Sequence, residues 1–287
     1  MDLWTFRAGL DEVVFGSNLT GVGLTETPDV RSPVADETRV NPRSDGRRFG
    51  RDTRPGSRVL LDLEFRPEGG RSLDRVMRDF SALWRGDAVR SRGGEMAELV
   101  SHTGRTAFGR PREVVPNRKN MQFDVSTATT EFECVDDLWY GAEEELVLRF
   151  TPEFTGGLPV PAEVPFVLGG GTGSQDKVVT VAGDVETWPV FEIHGPIMDP
   201  FIDVPGVGRL QFTGQIAYDR TLIVDTRHWR RSVRLDSVPA PGFLAPAGSR
   251  LSDMSMAPGA YRVIFGGYDP SGTSSMRVRV RPAFVSF

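Results

Sequence analysis

The stretch from Gly183 to Leu235 constrains the fold of this chain more than any other. It carries short apolar runs, Phe191-Glu192-Ile193, Leu210-Gln211-Phe212 and Leu222-Ile223-Val224. Side chains of an extended backbone alternate between two faces, so each run offers one apolar face and needs a partner layer to cover it. Between the runs stand Gly195-Pro196, Pro200, Pro205-Gly206, Gly208, Gly214 and Asp219. These residues set turn geometry or stop a hydrogen-bond ladder for want of an N–H. The stretch therefore reads as half of a β-sandwich.

Composition extends that reading to the whole chain. With 32 Gly and 21 Pro in 287 residues and no fixed repeat, many turns and many short strands are expected. The length suits two domains, each large enough for its own core. We place them at 1–145 and 146–287, the first mainly β with one packed helix and the second a β-sandwich. The net charge of −5 supplies no general attraction to nucleic acid or to an anionic membrane. Of the 34 basic residues only Lys119 and Lys177 are lysines, and the arginines are spread along the chain. Cys134 is the single cysteine, so no intrachain disulfide forms and folding in a cytoplasm is expected. Met1-Asp2-Leu3-Trp4 lacks the pattern of an export signal and no apolar run reaches bilayer length, so no membrane insertion is expected. Without export, the Asn18-Leu19-Thr20 sequon is incidental.

Taken in order, Glu12 to Phe15 is a first strand. Residues 16–58 turn polar and irregular, with Pro28, Pro33, Pro42 and Pro55 and the basic run Arg47-Arg48-Phe49-Gly50-Arg51. Connections of this length in compact domains are commonly functional. The segment is either a mobile surface loop or an arm reaching a neighbouring subunit through Arg47, Arg48, Phe49 and Arg51. Val59, Leu61, Leu63 and Phe65 alternate as a strand. A helix follows, with Ser72 as its cap, an apolar stripe of Leu73, Val76, Met77, Phe80, Leu83 and Trp84, and Gly86 as a left-handed terminator. That assignment turns Arg85-Gly86-Asp87 from an adhesion motif into a helix end. Leu99 to His102, Thr106 to Val115 and Met121 to Cys134 are further strands, the last with Met121, Phe123 and Val125 on one face and Cys134 in the core. The second half resumes after Gly156-Gly157, Gly169-Gly170-Gly171-Thr172-Gly173 reads as a turn, and a closing strand sets Met276, Val278 and Val280 against Arg277, Arg279 and Arg281.

Neither a nucleophile elbow, a P-loop, a dinucleotide fingerprint nor a zinc-ligand pair is present in the sequence. His102, His194 and His228 lie apart, with no Cys or Glu at ligand spacing, and Glu143 to Glu145 read as a solvated boundary. No catalytic, cofactor-binding or metal residues are expected. The one rival to a structural role is a carbohydrate-binding module for cell-wall recognition, with Trp188 or Trp229 stacking on a sugar ring. A strand would aim the residues around Trp229 in alternate directions, which counts against a single groove.

In its landmarks and their order, the chain resembles the distal tail proteins, often called minor tail proteins, of long, flexible-tailed bacteriophages. The landmarks in the second half are Gly183 with Thr187-Trp188-Pro189, Phe191-Glu192-Ile193-His194-Gly195-Pro196, Leu222-Ile223-Val224-Asp225-Thr226, Pro258-Gly259 before Tyr261 to Phe265, and Arg281-Pro282. In the first half they are Gly50 to Leu61, the helix near Leu73 to Trp84, Gly109-Arg110-Pro111, and the boundary Asp137-Leu138-Trp139-Tyr140. Leu138 stands where the family usually has Pro.

The resemblance implies a virion protein at the distal end of the tail, folded and assembled in the host bacterial cytoplasm. Its first domain would be a β-barrel or split-barrel with one packed α-helix that forms a hexameric ring continuing the tail tube, and its second a galectin-like β-sandwich projecting outward toward tail-tip, fibre or receptor-binding proteins. Contact with the tape-measure protein is implied as well. DNA would pass through the lumen without specific binding, and an acidic chain suits such a passage because few cations retain phosphate.

Overall fold

The structure, a computed structural model, describes residues 3–17, 20–117, 123–152 and 172–287. The residues Asn18-Leu19, Lys119, Met121, Gly156-Gly157 and Gly169-Gly170-Gly171 of the readings above lie outside them. The fold is mainly β, and the chain forms two compact units, one of residues 1–141 with 284–287, the other of residues 142–283.

The first unit is one strongly bent antiparallel sheet. Its strands run Asp11–Phe15, Trp4–Ala8, Ala97–Val100, Thr106–Asn117, Ser126–Cys134, Arg58–Phe65, Val22–Leu24. A parallel bridge between Gly16 and Gly23 brings its two edges together, so the sheet is a nearly closed barrel. Alternation decides which side chains enter it. In Arg58–Phe65 the residues Val59, Leu61, Leu63 and Phe65 are all buried while Leu60, Asp62 and Glu64 are not, as the sequence predicts. Ser126–Cys134 buries Ala128, Phe132 and Cys134 on one face. This strand begins later than expected. Phe123 sits before it and is 71% exposed, so the apolar periodicity that seemed to extend the strand backward belongs to a surface turn.

The helix Leu73–Trp84 supplies the rest of that core through Leu73, Val76, Phe80 and Trp84. Trp84 is fully buried against Phe6 at 4.7 Å between ring centroids and stacks on Phe80 at 5.4 Å. Ser72 takes the N-cap position, but its side chain makes no capping hydrogen bond; its carbonyl instead accepts from the N–H groups of Arg75 and Val76. Gly86 adopts φ 61°, ψ 36° and ends the helix, and a four-residue helical turn, Asp87–Arg90, follows directly. A side chain at Gly86 would meet Pro111 Cγ at 2.8 Å. Gly86→Ala is therefore expected to destabilise the first unit by about 2 kcal/mol, the left-handed conformation and the close approach acting together. Chemical denaturation of the variant measures it. Arg85 and Asp87 pair with each other at 2.9 Å on the surface.

The second unit is a pair of antiparallel sheets around one core. Six strands run Glu144–Arg149, Ser275–Val280, Val190–His194, Thr221–Asp225, Ser232–Leu235, Val238–Pro239. The other sheet runs Thr172–Val181, Gly259–Tyr268, Ile197–Val204, Gly208–Gln211, with Gln215–Ile216 also pairing Ile197–Val204. The inward faces share a core that includes Phe191, Ile202, Leu210, Phe212, Leu222, Phe265 and Met276. The Gly183 to Leu235 stretch contributes to both sheets, not to one half of the sandwich. The chain changes sheet after His194 and returns before Thr221. Gly195 marks the first change, since a Cβ there would lie 2.0 Å from the Ala217 carbonyl oxygen. Pro200 does not end its strand. It sits in Ile197–Val204 at a register shift, the kind of place where a missing N–H is tolerated.

Candidate functional site

Between Arg31 and Gly56 the first unit extends an antiparallel ribbon. Asp29–Arg31 is anchored on Arg58–Leu60 of the barrel. Beyond it Ala35 and Thr53 exchange backbone hydrogen bonds of 2.9 Å, and Arg39–Val40 pairs with Arg47–Arg48. The residues from 31 to 55 are exposed throughout except for half-buried Thr38 and Asn41, so the ribbon has no core of its own. Of the proposed contact residues, Arg47 and Arg48 form its second strand and Phe49 follows them, 81% exposed, with Arg51 beyond. The irregular segment of the sequence is thus a structured arm. Proline and glycine hide it from pattern reading because each arm strand is only two residues long.

The base of the arm is clamped. Arg54 Nη1 donates to Asp137 Oδ2 at 2.7 Å, and Ser57 N donates to the Asp136 carbonyl at 3.0 Å. Asp136 is almost fully buried and accepts from Tyr140 Oη at 2.6 Å and from Leu138 N at 3.0 Å. Burial pushes its carboxyl up to about 6, against those hydrogen bonds, which hold it down, and with a smaller upward push from Asp137. The unfolded value is about 3.9, so between about pH 4 and 6 the folded state binds the extra proton. Asp136 therefore makes stability fall as pH rises through that window and contributes no slope above it. Asp136→Asn is expected to remove this component, which the difference between wild-type and variant unfolding free energies from pH 4 to 7 measures.

Trp139 and Tyr140 are both buried, Tyr140 pairing with Thr106 of the barrel. Trp139 joins a ring cluster with Trp4 at 5.9 Å and Phe287 at 5.2 Å, and Phe287 also meets Trp4 at 5.0 Å and His102 at 5.8 Å. Arg105 lies over the Phe284 ring at 3.6 Å and donates to the Ser286 carbonyl at 2.6 Å. Sequence reading missed this return of residues 284–287 to the first unit. The available signal was the pair of phenylalanines beyond Pro282, where no further strand of the second unit needs them. Cys134 is a core residue, its thiol pushed up to about 12 by burial, so at neutral pH it is a protonated and poor nucleophile.

In the second unit Trp188 and Trp229 do converge. The imidazole of His228 stands between them, edge-on to each, at 4.5 and 4.6 Å. Residues 228–230 form a turn, so the expected alternation of a strand does not apply, and the chain can bring neighbouring rings to one place. Below the turn Asp225, 1% exposed, accepts from Arg227 Nε at 2.9 Å and Arg227 Nη2 at 2.6 Å. His194 bonds Thr221 through Nδ1 at 2.9 Å. The three histidines are thus separated in space, and among the described residues no group of three or more His, Cys, Asp or Glu side chains could hold a metal ion.

The arginines of the closing strand are paired. Arg279 reaches Glu192 at 2.6 Å and Glu143 at 3.5 Å, Arg277 reaches Glu145 at 3.0 Å, and Arg281 reaches Glu143 at 3.3 Å. Glu143 and Glu145, two residues apart, share a face and join this ladder. It covers the outer side of the six-stranded sheet. No helix among the described residues is long and apolar enough to cross a membrane.

The described residues thus form a barrel carrying an exposed ribbon, followed in sequence by a two-sheet unit whose outer arginines are ion-paired. No protein-family model and no curated protein sequence matches the chain. Solved structures do. The Dit protein of phage SPP1, described as a paradigm of the hub adsorption apparatus of phages infecting Gram-positive bacteria, is similar over 98% of this chain and 99% of that one, at 14% identity and a TM-score of 0.56. A chain of the phage P2 baseplate in its activated conformation matches over 98% of both chains, at 10% identity and a TM-score of 0.54. The chain therefore has, over almost its whole length, the fold of phage hub and baseplate proteins, in agreement with the resemblance read from its sequence.

Proposed function

We propose that this protein is a structural component of a bacteriophage tail, a hub that assembles as a ring and joins the tail tube to the tip and receptor-binding apparatus. The observation that carries the reading is the similarity to the SPP1 Dit protein over 98% of this chain, because similarity that spans two distinct units in the same sequence order is a stronger constraint than a single common domain. In this reading the first unit, taken as residues 1–145, makes the ring of six, and the second, 146–287, faces the tip proteins. Arg47, Arg48, Phe49 and Arg51 belong to the subunit contact. A closed ring needs a heterologous interface, one surface of each copy meeting a different surface of the next. An arm on one side of a compact barrel is suited to that. The acidic balance of the chain, −5, favours passage of DNA without retention.

The protein has no catalytic role in this proposal. A carbohydrate-binding role is supported by the convergence of Trp188 and Trp229 on one histidine, but each indole already packs against the His228 ring. Negative-stain microscopy of the purified protein, alone and co-expressed with its neighbouring tail genes, tests the proposal. Rings of uniform diameter are expected. Monomers under both conditions, or Trp229→Ala abolishing binding to a defined cell-wall glycan, would sink it.

A further inference from the structure

Resting on the ring reading above, we infer that the arm tip of one copy seats Phe49 in a groove on the barrel of the next, between the helix Leu73–Trp84 and the strand Asp11–Phe15. The groove is a cavity of about 320 Å³ with Val14, Val76 and Leu83 among its apolar lining and three acids, Glu12, Glu68 and Asp79, against one cation, Arg71, among its polar residues. A void of about 150 Å³ accepts a benzene ring, so this one has room for a phenyl group and part of a neighbouring stem. Phe49 is the largest apolar side chain on the arm and is 81% exposed among the described residues.

Charge points the same way. Residues 31–55 hold seven arginines against four acids in a chain that is acidic overall. Arg39, Arg43, Arg47, Arg48 and Arg51 have no ion-pair partner among the described residues. The groove acids are paired with Arg7, Arg71 and Arg75, but these are half-exposed pairs, which exchange for an incoming guanidinium at little cost.

The occupant must come from a second copy. The arm leaves the barrel past Arg58, where Arg31 pairs, and runs outward through Ala35 and Thr53. The groove borders Val22, which pairs with Phe65 at the other end of the same strand. At about 3.3 Å per residue those ends of the strand are roughly 23 Å apart. A knob and a hole at opposite ends of one barrel make a head-to-tail contact that repeats from copy to copy.

Engineered disulfides test this, because the one native cysteine, Cys134, is buried and unreactive. Chains carrying Phe49→Cys mixed with chains carrying Val14→Cys are expected to give a mixed disulfide dimer on oxidation, and the double variant a ladder of cross-linked oligomers. Arg47→Glu with Arg48→Glu is expected to weaken self-association at least about tenfold, with recovery on pairing against Glu12→Arg and Glu68→Arg. Rings that form without the Phe49 to Val14 cross-link, or cross-links only between two copies of Phe49→Cys, would overturn the inference and leave the hub reading intact. A wild-type chain that forms no ring alone or with its tail partners would overturn both.

Discussion

Trp84→Ala is expected to cost the first unit about 4 kcal/mol, within the range of 3–5 kcal/mol for truncating a fully buried tryptophan. The indole is wholly removed from solvent and is the meeting point of the barrel and its helix, touching Phe6, Phe15 and Phe132 from three strands and Phe80 from the helix itself. Alanine would leave a void that the rigid barrel wall cannot collapse to fill. The helix has no side-chain cap at Ser72 and twelve residues of its own, so it depends on this face for its stability. Denaturant titration followed by calorimetry should show a transition lost or lowered for the first unit while that of the second keeps its midpoint. Trp84→Phe should recover about half of the loss, since it keeps the ring contacts to Phe80 but gives up volume. Equal loss in both transitions would mean that the two units do not unfold separately.

Asp225→Ala is expected to destabilise the second unit by about 3 kcal/mol. The carboxylate is buried and takes both forks of Arg227, with Arg230 at 3.9 Å. Removing one partner of a buried pair leaves the other charge without compensation, at a typical cost of 3–5 kcal/mol. The low end applies because the Arg227 side chain retains 26% exposure and recovers some hydration. A local effect accompanies the global one. The Asp225 to Arg227 bridge fixes the start of the 228–230 turn, so the Trp229 environment should change, which near-UV circular dichroism or tryptophan fluorescence reads before unfolding. Asp225→Asn keeps an acceptor for Arg227 and should lose about half as much. A variant as stable as wild type would show that the pair is replaced by solvation.

Strand positions were legible in the sequence at several segments with one buried face, because alternation leaves a two-residue signature there, although Trp4–Ala8, with Trp4, Phe6 and Ala8 buried, was not among them. Val59 to Phe65 and Met276 to Val280 are the clearest cases, and Phe191 to Ile193 is a third. The helix was legible for the same reason at its own period, and Gly86 marked its end because only a residue without Cβ fits beside Pro111. Segments with no buried face leave no such signature. The arm lacks a core, so its pairing of Arg39–Val40 with Arg47–Arg48 is carried by backbone hydrogen bonds, which are nearly blind to side-chain identity. Phe123 misled in the opposite direction: an apolar residue in phase with a strand, yet outside it and in solvent.

The candidate contacts divide along the same line. Arg47, Arg48, Phe49 and Arg51 stood out as a basic run around an aromatic, but that the run rides on an exposed two-stranded ribbon is a property of pairing between residues apart in sequence. Trp188 and Trp229 are 41 positions apart and meet because adjacent strands Val190–His194 and Thr221–Asp225 pair in register, which brings Trp188 and the turn after Asp225 to the same end of the sheet. His228 between them was unforeseeable from spacing.

By itself, the sequence determined the class of fold, the position of the helix and of several strands that bury a face, and the lack of a recognisable catalytic motif, since these depend on local periodicity and on residue type. Only the tertiary structure decided which strands share a sheet, that the Gly183 to Leu235 stretch is divided between both layers, and that residues 284–287 complete the first unit. Those facts follow from long-range pairing and close packing, in which a residue's partner is chosen by the whole chain and leaves no mark on its neighbours in sequence.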